Sequence, residues 1–423
     1  MAEQHGKALV PQIRFAGFTD PWEQRKLGEL FEESDERASD REILSVSVAN
    51  GIYPASESDR ETNPGASLAN YKIVHFGDVV YNSMRMWQGA VDASRYDGIV
   101  SPAYVVTRPN SEVYARFFAR LLRQPMLLKQ YQQVSQGNSK DTQVLKFDDF
   151  ASIGISMPAS ENEQRQIGAF FDRLDSLITL HQRKYDKLCV LKKSMLDKMF
   201  PKGGSLYPEI RFAGFTDPWE QRKLEDYVVV STAKNVDGRF NKEDVLSVSG
   251  EYGIVNQIAF QGRSFAGSSV LNYGIVNTGD IVYTKSPLNS NPYGIIKVNK
   301  GIPGIVSTLY AVYRPQDNVH TNFIQVYFEQ HERMNNYMHP LVNKGAKNDM
   351  KVTAENALKG VVTFPSREEQ VIISEFFDRL DSLITLHQRK YDGCANPLFL
   401  ERRISCRKPS HQNRCSATTT PSG

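Results

Sequence analysis

The most regular pattern of apolar positions in the chain predicts a long helix near its middle. From residue 167 onward, apolar side chains recur at alternating spacings of three and four, which places them on one face of an α-helix. The pattern ends at residues 200–204, FPKGG, where proline and glycine stop a helix. So broad an apolar stripe predicts a helix that packs against a partner.

The same stripe returns near the end of the chain. The positions expected in spacer-helix packing are Ile167, Phe170, Leu174, Leu177, His181, Leu188, Leu191, Ile373, Phe376, Leu380, Leu383 and His387. A repeated amphipathic helix most simply packs against its own copy, which predicts an antiparallel coiled coil around a pseudo-two-fold axis. For the two histidines, packing is a simpler interpretation than a metal site, because no set of spaced Cys or His ligands accompanies them.

Two blocks of sequence recur without change, which shows that the chain is built twice. Residues 13–27, IRFAGFTDPWEQRKL, return at 210–224, and residues 170–186, FFDRLDSLITLHQRKYD, return at 376–392. Shorter matches lie between the blocks in the same order in both copies. This is the pattern of one fold that carries two different inserts.

The diverged segments between the blocks predict short strands and helices. β-branched and aromatic residues follow Gly-Asp turns, as is typical of strands, and helical spacing appears at 115–133 and at 321–338. We therefore predict an α+β fold class, with two mixed α/β domains in tandem pseudo-repeat joined by the long helices.

The repeated blocks also predict the domain boundaries. The predicted segments are a first mixed domain with the N-terminal block at 1–157, a central helix at 158–205, a second mixed domain at 206–365, a truncated distal helix at 366–392 and a divergent tail at 393–423. We expect disorder in the tail, because Pro397 would cost a continued helix about 3 kcal/mol and the residues beyond it are polar without a period.

Composition limits the remaining possibilities. Lys plus Arg number 51 against 48 acidic residues, a net charge of +3, so any contact with nucleic acid must come from local patches. Of four cysteines only Cys189 precedes residue 394, which argues against a disulfide framework. The first residues lack the apolar core of a signal peptide, and no apolar run approaches the ~18 residues of a membrane span. A cytoplasmic protein is therefore expected.

Several motifs occur in combination, and two of them are present in both copies. They are the turns GDVVYN at 77–82 and GDIVYT at 279–284, SPAY at 101–104, and the helix entry Pro158, Glu163-Gln164, Ile167, Phe171 and Leu174-Asp175, repeated as Pro365, Glu369-Gln370, Ile373, Phe377 and Leu380-Asp381. In this combination the chain resembles the specificity subunits of type I restriction-modification systems over residues 11–392.

This resemblance implies two target-recognition domains that each read half of a split site in double-stranded DNA. It also implies that the helices form a fixed spacer and dock two methyltransferase subunits and, through them, restriction subunits. S-adenosylmethionine would then be bound by the partner methyltransferase subunits, and this chain would bind no cofactor itself. The tail after Asp392 departs from the family pattern.

Two loops in each domain are the candidates for DNA contact. Arg and Gln make bidentate contacts with guanine and adenine edges, and polar stretches beside glycine allow close approach to phosphate. The candidate residues are Asn82, Arg85, Trp87, Gln88, Gln136, Asn138, Ser139 and Lys140 in the first domain, and Thr284, Lys285, Asn289, Asn291, Lys344, Lys347, Asn348 and Lys351 in the second. The alternative is that these are solvated loops and that Trp87 belongs to a core.

The aromatic residues of the first repeated block have a structural interpretation. We expect them to pack against the helices, at Phe15, Phe18 and Trp22 in the first copy and at Phe212, Phe215 and Trp219 in the second.

No catalytic residue or metal site is expected in the chain. Residues 291–293, Asn-Pro-Tyr, lack the second proline of the adenine methyltransferase motif Asn-Pro-Pro-Tyr, and no GxxxxGK[ST] phosphate loop occurs. The favoured function is a non-catalytic DNA-recognition subunit. The alternatives are a duplicated protein-interaction scaffold, which salt dependence of binding would distinguish, and a rearranged, partly inactive specificity subunit.

Overall fold

The computed structural model describes six stretches of the 423-residue chain, namely residues 10–58, 67–137, 143–267, 269–285, 291–342 and 352–395. The chain divides into two compact units, Met1–Leu177 and Ile178–Gly423. The boundary falls inside a continuous helix, Glu161–Lys198. No helix within the six stretches combines the length and hydropathy needed to cross a membrane.

The first unit mixes antiparallel strands with helices, as predicted for an α+β fold. Its strands are β1 (Glu23–Lys26), β2 (Phe31–Glu33), β3 (Leu44–Ser47), β4 (Gly51–Pro54), β5 (Lys72–Val74), β6 (Val79–Asn82), β7 (Val91–Ala93), β8 (Gly98–Val100), β9 (Tyr104–Pro109) and β10 (Gly154–Met157). Its helices are α1 (Ala115–Leu121), α2 (Pro125–Val134), α3 (Phe147–Ala151) and the first part of α4 (Glu161–Lys198), with 3-10 turns at Leu27–Glu29, Ala55–Glu57 and Met86–Gln88. The main sheet has the order β2-β9-β6-β7.

The second unit repeats this plan. Its strands are β11 (Glu220–Lys223), β12 (Val228–Val230), β13 (Leu246–Ser249), β14 (Gly253–Asn256), β15 (Gly274–Val276), β16 (Ile281–Tyr283), β17 (Ile296–Val298), β18 (Gly304–Val306), β19 (Ala311–Pro315) and β20 (Val361–Phe364). Its helices are α5 (Gln257–Gln261), α6 (Thr321–Glu329), α7 (His331–Met338) and α8 (Arg367–Ala395), with 3-10 turns at Leu224–Asp226, Lys242–Asp244, His339–Leu341 and Asn356–Leu358. The main sheet has the order β12-β19-β16-β17, so corresponding strands hold corresponding places.

One of the two inner strands of each main sheet, β6 in the first unit and β16 in the second, is buried on both faces, which explains its apolar sequence. In β6, Val79 and Tyr81 join the core that contains the domain helices, while Val80 joins a smaller core with Leu44 and Val106. Successive residues of a strand point to opposite faces, so β6 holds two cores together. In β16, Ile281 and Tyr283 lie in one core of the second unit and Val282 in another.

Each helical stretch predicted in the diverged segments is divided into two helices. In the first unit, Gln124 is extended (ψ 139°) between α1 and α2, because a residue before proline is disfavoured in the helical region and Pro125 follows. In the second unit, Gln330 is extended (ψ 117°) between α6 and α7, although no proline follows it.

The end of the first repeated block forms a strand that the sequence pattern did not indicate. Residues EQRK of β1 pair with β10, in a register that sets Glu23 opposite Met157 and Lys26 opposite Gly154. In the second unit β11 pairs with β20 in the same way. Both pairs join the repeated block to the strand that leads directly into a long helix.

Within the second unit, the later part of α4 lies against α8. Nδ1 of His181 is 3.0 Å from Nδ1 of His387, and Nζ of Lys192 is 2.6 Å from a carboxylate oxygen of Asp381. Further along α4, Leu196 lies in the same core as Phe377 of α8. The contacts therefore occur in opposite order along the two helices.

The predicted packing positions on the helices have different outcomes. Those that contact or lie in a core are Ile167, Leu188, Ile373, Phe376 and Leu380, while Phe170 packs edge-on against Phe15, and Leu174, His181 and His387 are half-buried. Leu177, Leu191 and Leu383 remain 39%, 40% and 43% exposed, so their packing stays a prediction. The apolar stripe is wider than the surface that neighbouring elements cover.

Candidate nucleic-acid interface

The loop after β6 holds the exposed guanidinium of Arg85 next to a well-anchored 3-10 turn. Met86 is fully buried and holds the 3-10 turn Met86–Gln88 against the domain core. Gly89 ends the turn with a φ of 92°, a conformation that favours glycine. Arg85 is exposed, and its Nη1 donates to Oε1 of Gln88 at 3.3 Å. The loop thus offers paired guanidinium and amide groups to solvent.

Two other candidates of this loop have mainly structural contacts. Oδ1 of Asn82 accepts a hydrogen bond from the backbone N–H of Met84 at 3.0 Å. Trp87 is half-buried against the domain core, and its indole N–H donates to the carbonyl of Met84 at 3.1 Å. Because the indole N–H is already used, the alternative interpretation of Trp87 as a core residue fits better than base contact.

The corresponding loop of the second unit has different chemistry. Thr284 is 3% exposed, and its hydroxyl accepts the backbone N–H of Ile295 at 3.0 Å. This placement corrects the prediction that Thr284 contacts a base, because a buried hydroxyl cannot reach a groove. Asn291 follows the loop and its carbonyl accepts the N–H of Gly294 at 3.0 Å, while Asn289 lies outside the described residues.

Lys285 is the unusual residue of this loop. Its φ is +50°, and it is the only non-glycine residue with positive φ in the part of the chain that the structure describes. Its ammonium donates to the carbonyl of Thr308 at 2.9 Å, and burial lowers its pKa. A strained backbone at a lysine is uncommon and is typical of functional sites.

Of the second pair of candidate loops, the structure describes only one candidate residue, Gln136. Gln136 is exposed, pairs through its backbone with Val144 and donates from Nε2 to Asp149 at 3.0 Å. The other candidates lie outside the described residues: Asn138, Ser139, Lys140, Lys344, Lys347, Asn348 and Lys351.

A buried ion pair that sequence reasoning missed secures the start of α4. The carboxylate of Glu163, 1% exposed, accepts two hydrogen bonds from Arg14, at 2.7 and 2.6 Å, and one from Trp22 at 3.3 Å. The hydrogen bonds to Glu163 raise the pKa of Arg14. Ser160 and Glu163 have the spacing of a capping box, but the carboxylate of Glu163 binds Arg14 instead.

The second copy has the same ion pair. Arg211 donates to the two carboxylate oxygens of Glu369 at 2.8 and 2.7 Å. The neighbouring aromatic residues pack as expected, with Phe212 edge-on to Phe376 and Trp219, 1% exposed, against Phe200. Phe18 and Phe215 are half-buried.

The adjacent glutamine fastens each domain to its helix. Oε1 of Gln164 accepts the N–H of Tyr114 at 2.8 Å, and its Nε2 donates to the carbonyls of Glu112 (3.0 Å) and Pro158 (3.1 Å). In the second unit, Gln370 accepts the N–H of His320 at 2.9 Å and donates to the carbonyl of Pro365 at 3.0 Å. We call each consecutive pair, Glu163-Gln164 and Glu369-Gln370, a Glu-Gln clamp.

Comparisons with known proteins match this architecture. Residues 19–189 match the family model described as type I restriction modification DNA specificity domain. No curated protein matches the chain.

Solved structures of type I restriction-modification proteins are also similar to this chain. The S subunit of a type I restriction-modification system from M. genitalium has 11% sequence identity and a TM-score of 0.55, with 94% of this chain and 98% of that chain covered. The HsdS subunit from Thermoanaerobacter tengcongensis has 18% identity, coverage of 92% and 97%, and a TM-score of 0.41. A chain from a study of complex assembly and conformational transition of the type I R-M system has 16% identity, coverage of 90% and 96%, and a TM-score of 0.40.

Proposed function

We propose, from the premise that this chain carries a type I restriction-modification DNA specificity domain, that it reads an asymmetric bipartite DNA site with one half-site for each unit. The resemblance predicted from the motifs is confirmed by the family model and by the fold of the M. genitalium subunit. The observation that carries the proposal is one frame repeated with two different recognition loops.

The frame has the same parts in both units. The main sheets share a strand order, and a Glu-Gln clamp holds each domain to its helix. The loops that follow β6 and β16 differ in their hydrogen-bond donors. The loop of the first unit carries Arg85 and Gln88, and that of the second unit carries Lys285 and Asn291. Different donors recognise different base edges, so the two half-sites should differ.

The helices have two roles in this proposal, as a spacer and as a docking surface. The opposed contacts of α4 and α8 in the second unit support an antiparallel coiled coil. Four apolar residues on these helices are 43–69% exposed: Leu180, Val190, Leu383 and Leu386. Exposed apolar side chains are available for contact with another protein, and we assign these four residues to contacts with the methyltransferase subunits. Those subunits would bind S-adenosylmethionine and supply the chemistry, and restriction subunits would join through them.

Substitution of Arg85 tests the proposal on one half-site. In a complex with the methyltransferase partner, long-read mapping of methylated adenine should give a split motif. Arg85→Met should relax the first half-site and weaken binding by about 1–3 kcal/mol, the worth of a bidentate contact with guanine. The second half-site should stay unchanged.

The matched control is Arg173→Met, which removes an exposed guanidinium from α4. It should leave the motif intact. Binding of the complex to duplex DNA should also fall steeply with salt, because phosphate contacts release counterions. Salt-independent binding, or loss of both half-sites on changing Arg85 alone, would contradict the proposal and favour a protein-interaction scaffold.

A further inference from the structure

The two copies differ abruptly at one place inside their otherwise matching helices. Between the Glu-Gln clamp and the second identical block, the first copy has RQIGA at 165–169 and the second has VIISE at 371–375. Only the central isoleucine is shared. Because identical residues follow directly at 170–186 and 376–392, the divergence needs a local cause.

In the first unit, this segment encloses the ring of Tyr114. The guanidinium carbon of Arg165 lies 4.7 Å from the ring centroid. On the neighbouring turn, a Cβ added to Gly168 would lie 2.8 Å from Cε1 of the tyrosine and 3.3 Å from the backbone nitrogen of Phe117. Gln164 holds the backbone N–H of Tyr114, so the backbone of this residue cannot shift away. Any side chain at position 168 would therefore have to displace the tyrosine ring.

In the second unit, His320 occupies the place of Tyr114 and is held by Gln370. Its Nδ1 lies 3.1 Å from the hydroxyl of Ser374, which is fully buried and donates to the carbonyl of Gln370 at 2.7 Å. The hydroxyl therefore accepts from Nδ1–H, which requires this tautomer. Burial and the nearby Arg367 lower the pKa of His320. Val371 replaces Arg165 and adds no charge.

We propose that these residues form two matching sets, Tyr114, Arg165 and Gly168 in the first unit and His320, Val371 and Ser374 in the second, and that each helix entry accepts only its own recognition domain. Each exchangeable recognition module then ends inside the long helix, and the modules are residues 28–169 and 225–375. The boundaries predicted from sequence, at 157 and 365, would separate a domain from its matching set.

The next turn of each helix accepts different partners from its domain, unlike the matching sets. Asp172 accepts hydrogen bonds from Arg116 (2.5 Å) and Arg120 (3.3 Å), whereas the equivalent Asp378 accepts them from a lysine and an asparagine. An exposed or half-exposed carboxylate can exchange one donor for another. A ring against a glycine cannot adapt in this way, because packed interiors resist added volume. The discrimination therefore lies at the matching sets.

Point substitutions test the first matching set in the full-length chain. Gly168→Ser should lower the melting temperature of the first unit by on the order of 5 °C, the scale expected for added volume in a packed site. Adding Tyr114→His and Arg165→Val to Gly168→Ser imports the whole second set and should restore most of the loss. Ala169→Glu also imports a residue of the second copy, but at an exposed position, and should change nothing. Hydrogen exchange of peptides from α1 reports on this unit separately.

Two outcomes would overturn the proposal. One is a Gly168→Ser variant as stable as the wild type. The other is a triple variant no more stable than the single variant, including the case in which neither folds.

Module exchange tests the boundary itself. In one chimera residues 225–364 replace 28–157, which sets His320 against Arg165 and Gly168. In the other, residues 225–375 replace 28–169 and carry the whole second set. The long chimera should unfold near the wild-type temperature and the short chimera several degrees lower. Equal melting temperatures, or failure of both chimeras to fold, would refute the matching sets. Neither result depends on DNA binding.

Discussion

Replacing Gln164 by leucine is expected to detach the first domain from α4. The side chain is fully buried and satisfies three backbone groups, the N–H of Tyr114 and the carbonyls of Glu112 and Pro158. Leucine has a similar volume but no polar atom, so the substitution removes the hydrogen bonds without opening a large cavity.

The size of the effect follows from the number of groups left without a partner. Each unsatisfied buried polar group costs roughly 1–3 kcal/mol. Two of the three groups lie at the edge of the site and are partly buried, so water will satisfy them in part. We therefore expect a loss of about 3–6 kcal/mol for Gln164→Leu and about 2–4 kcal/mol for Gln370→Leu, whose side chain has two such bonds.

Urea denaturation of the full-length chain, followed by hydrogen exchange in each unit, measures both losses separately. Gln166→Leu is the matched control, because the same substitution then falls on an exposed position of the same helix. A Gln164→Leu variant within about 1 kcal/mol of the wild type would show that these hydrogen bonds do not hold the domain, since one lost hydrogen bond alone exceeds the uncertainty of the measurement. Loss of stability mainly in the second unit would refute it as well.

Two further predictions concern charges on the helices. Lys192→Met should destabilise the second unit by about 3 kcal/mol, because Glu329 (2.7 Å) and Asp381 (2.6 Å) would lose the ammonium group that pairs with both of them in a partly buried site. An unchanged melting temperature would contradict this. Burial and neighbouring cations lower the pKa of both His181 and His387 from 6.5, so stability is greatest above about pH 6.5 and falls as the pH decreases through the lowered folded pKa values. Thermal melts from about pH 7.5 to 5 should show this, and the double variant His181→Gln with His387→Gln should flatten the dependence.

The sequence predicted the features that repeat or alternate locally. The exact recurrence of two blocks predicted the duplication. The residues VVYN predicted a strand because successive side chains of a strand point to opposite faces, and β6 is buried on both faces. The break at Gln124 could have been anticipated from Pro125. The break at Gln330 could not, because tertiary packing sets it without a local signal.

The sequence could not predict partners that lie far apart in the chain. Ser160 and Glu163 have the spacing of a capping box, yet the carboxylate binds Arg14, which is 149 residues away. A bidentate bond to a guanidinium in a buried site is stronger than a local bond to a backbone N–H. The prediction that Thr284 contacts a base failed for a similar reason. Its hydroxyl accepts a hydrogen bond from the backbone N–H of Ile295, eleven residues away, which the sequence does not indicate.

The pairing of β1 with β10 and of β11 with β20 has a consequence for how much the inserts can vary. Each insert leaves and rejoins the frame through adjacent strands, although 127 residues (27–153) intervene in one copy and 137 (224–360) in the other. The entropy of closing a loop grows only with the logarithm of its length, so ten extra residues cost about 0.07 kcal/mol. Insert length is therefore almost neutral thermodynamically, and loops of new size and chemistry can be accommodated while the two attachment points stay fixed.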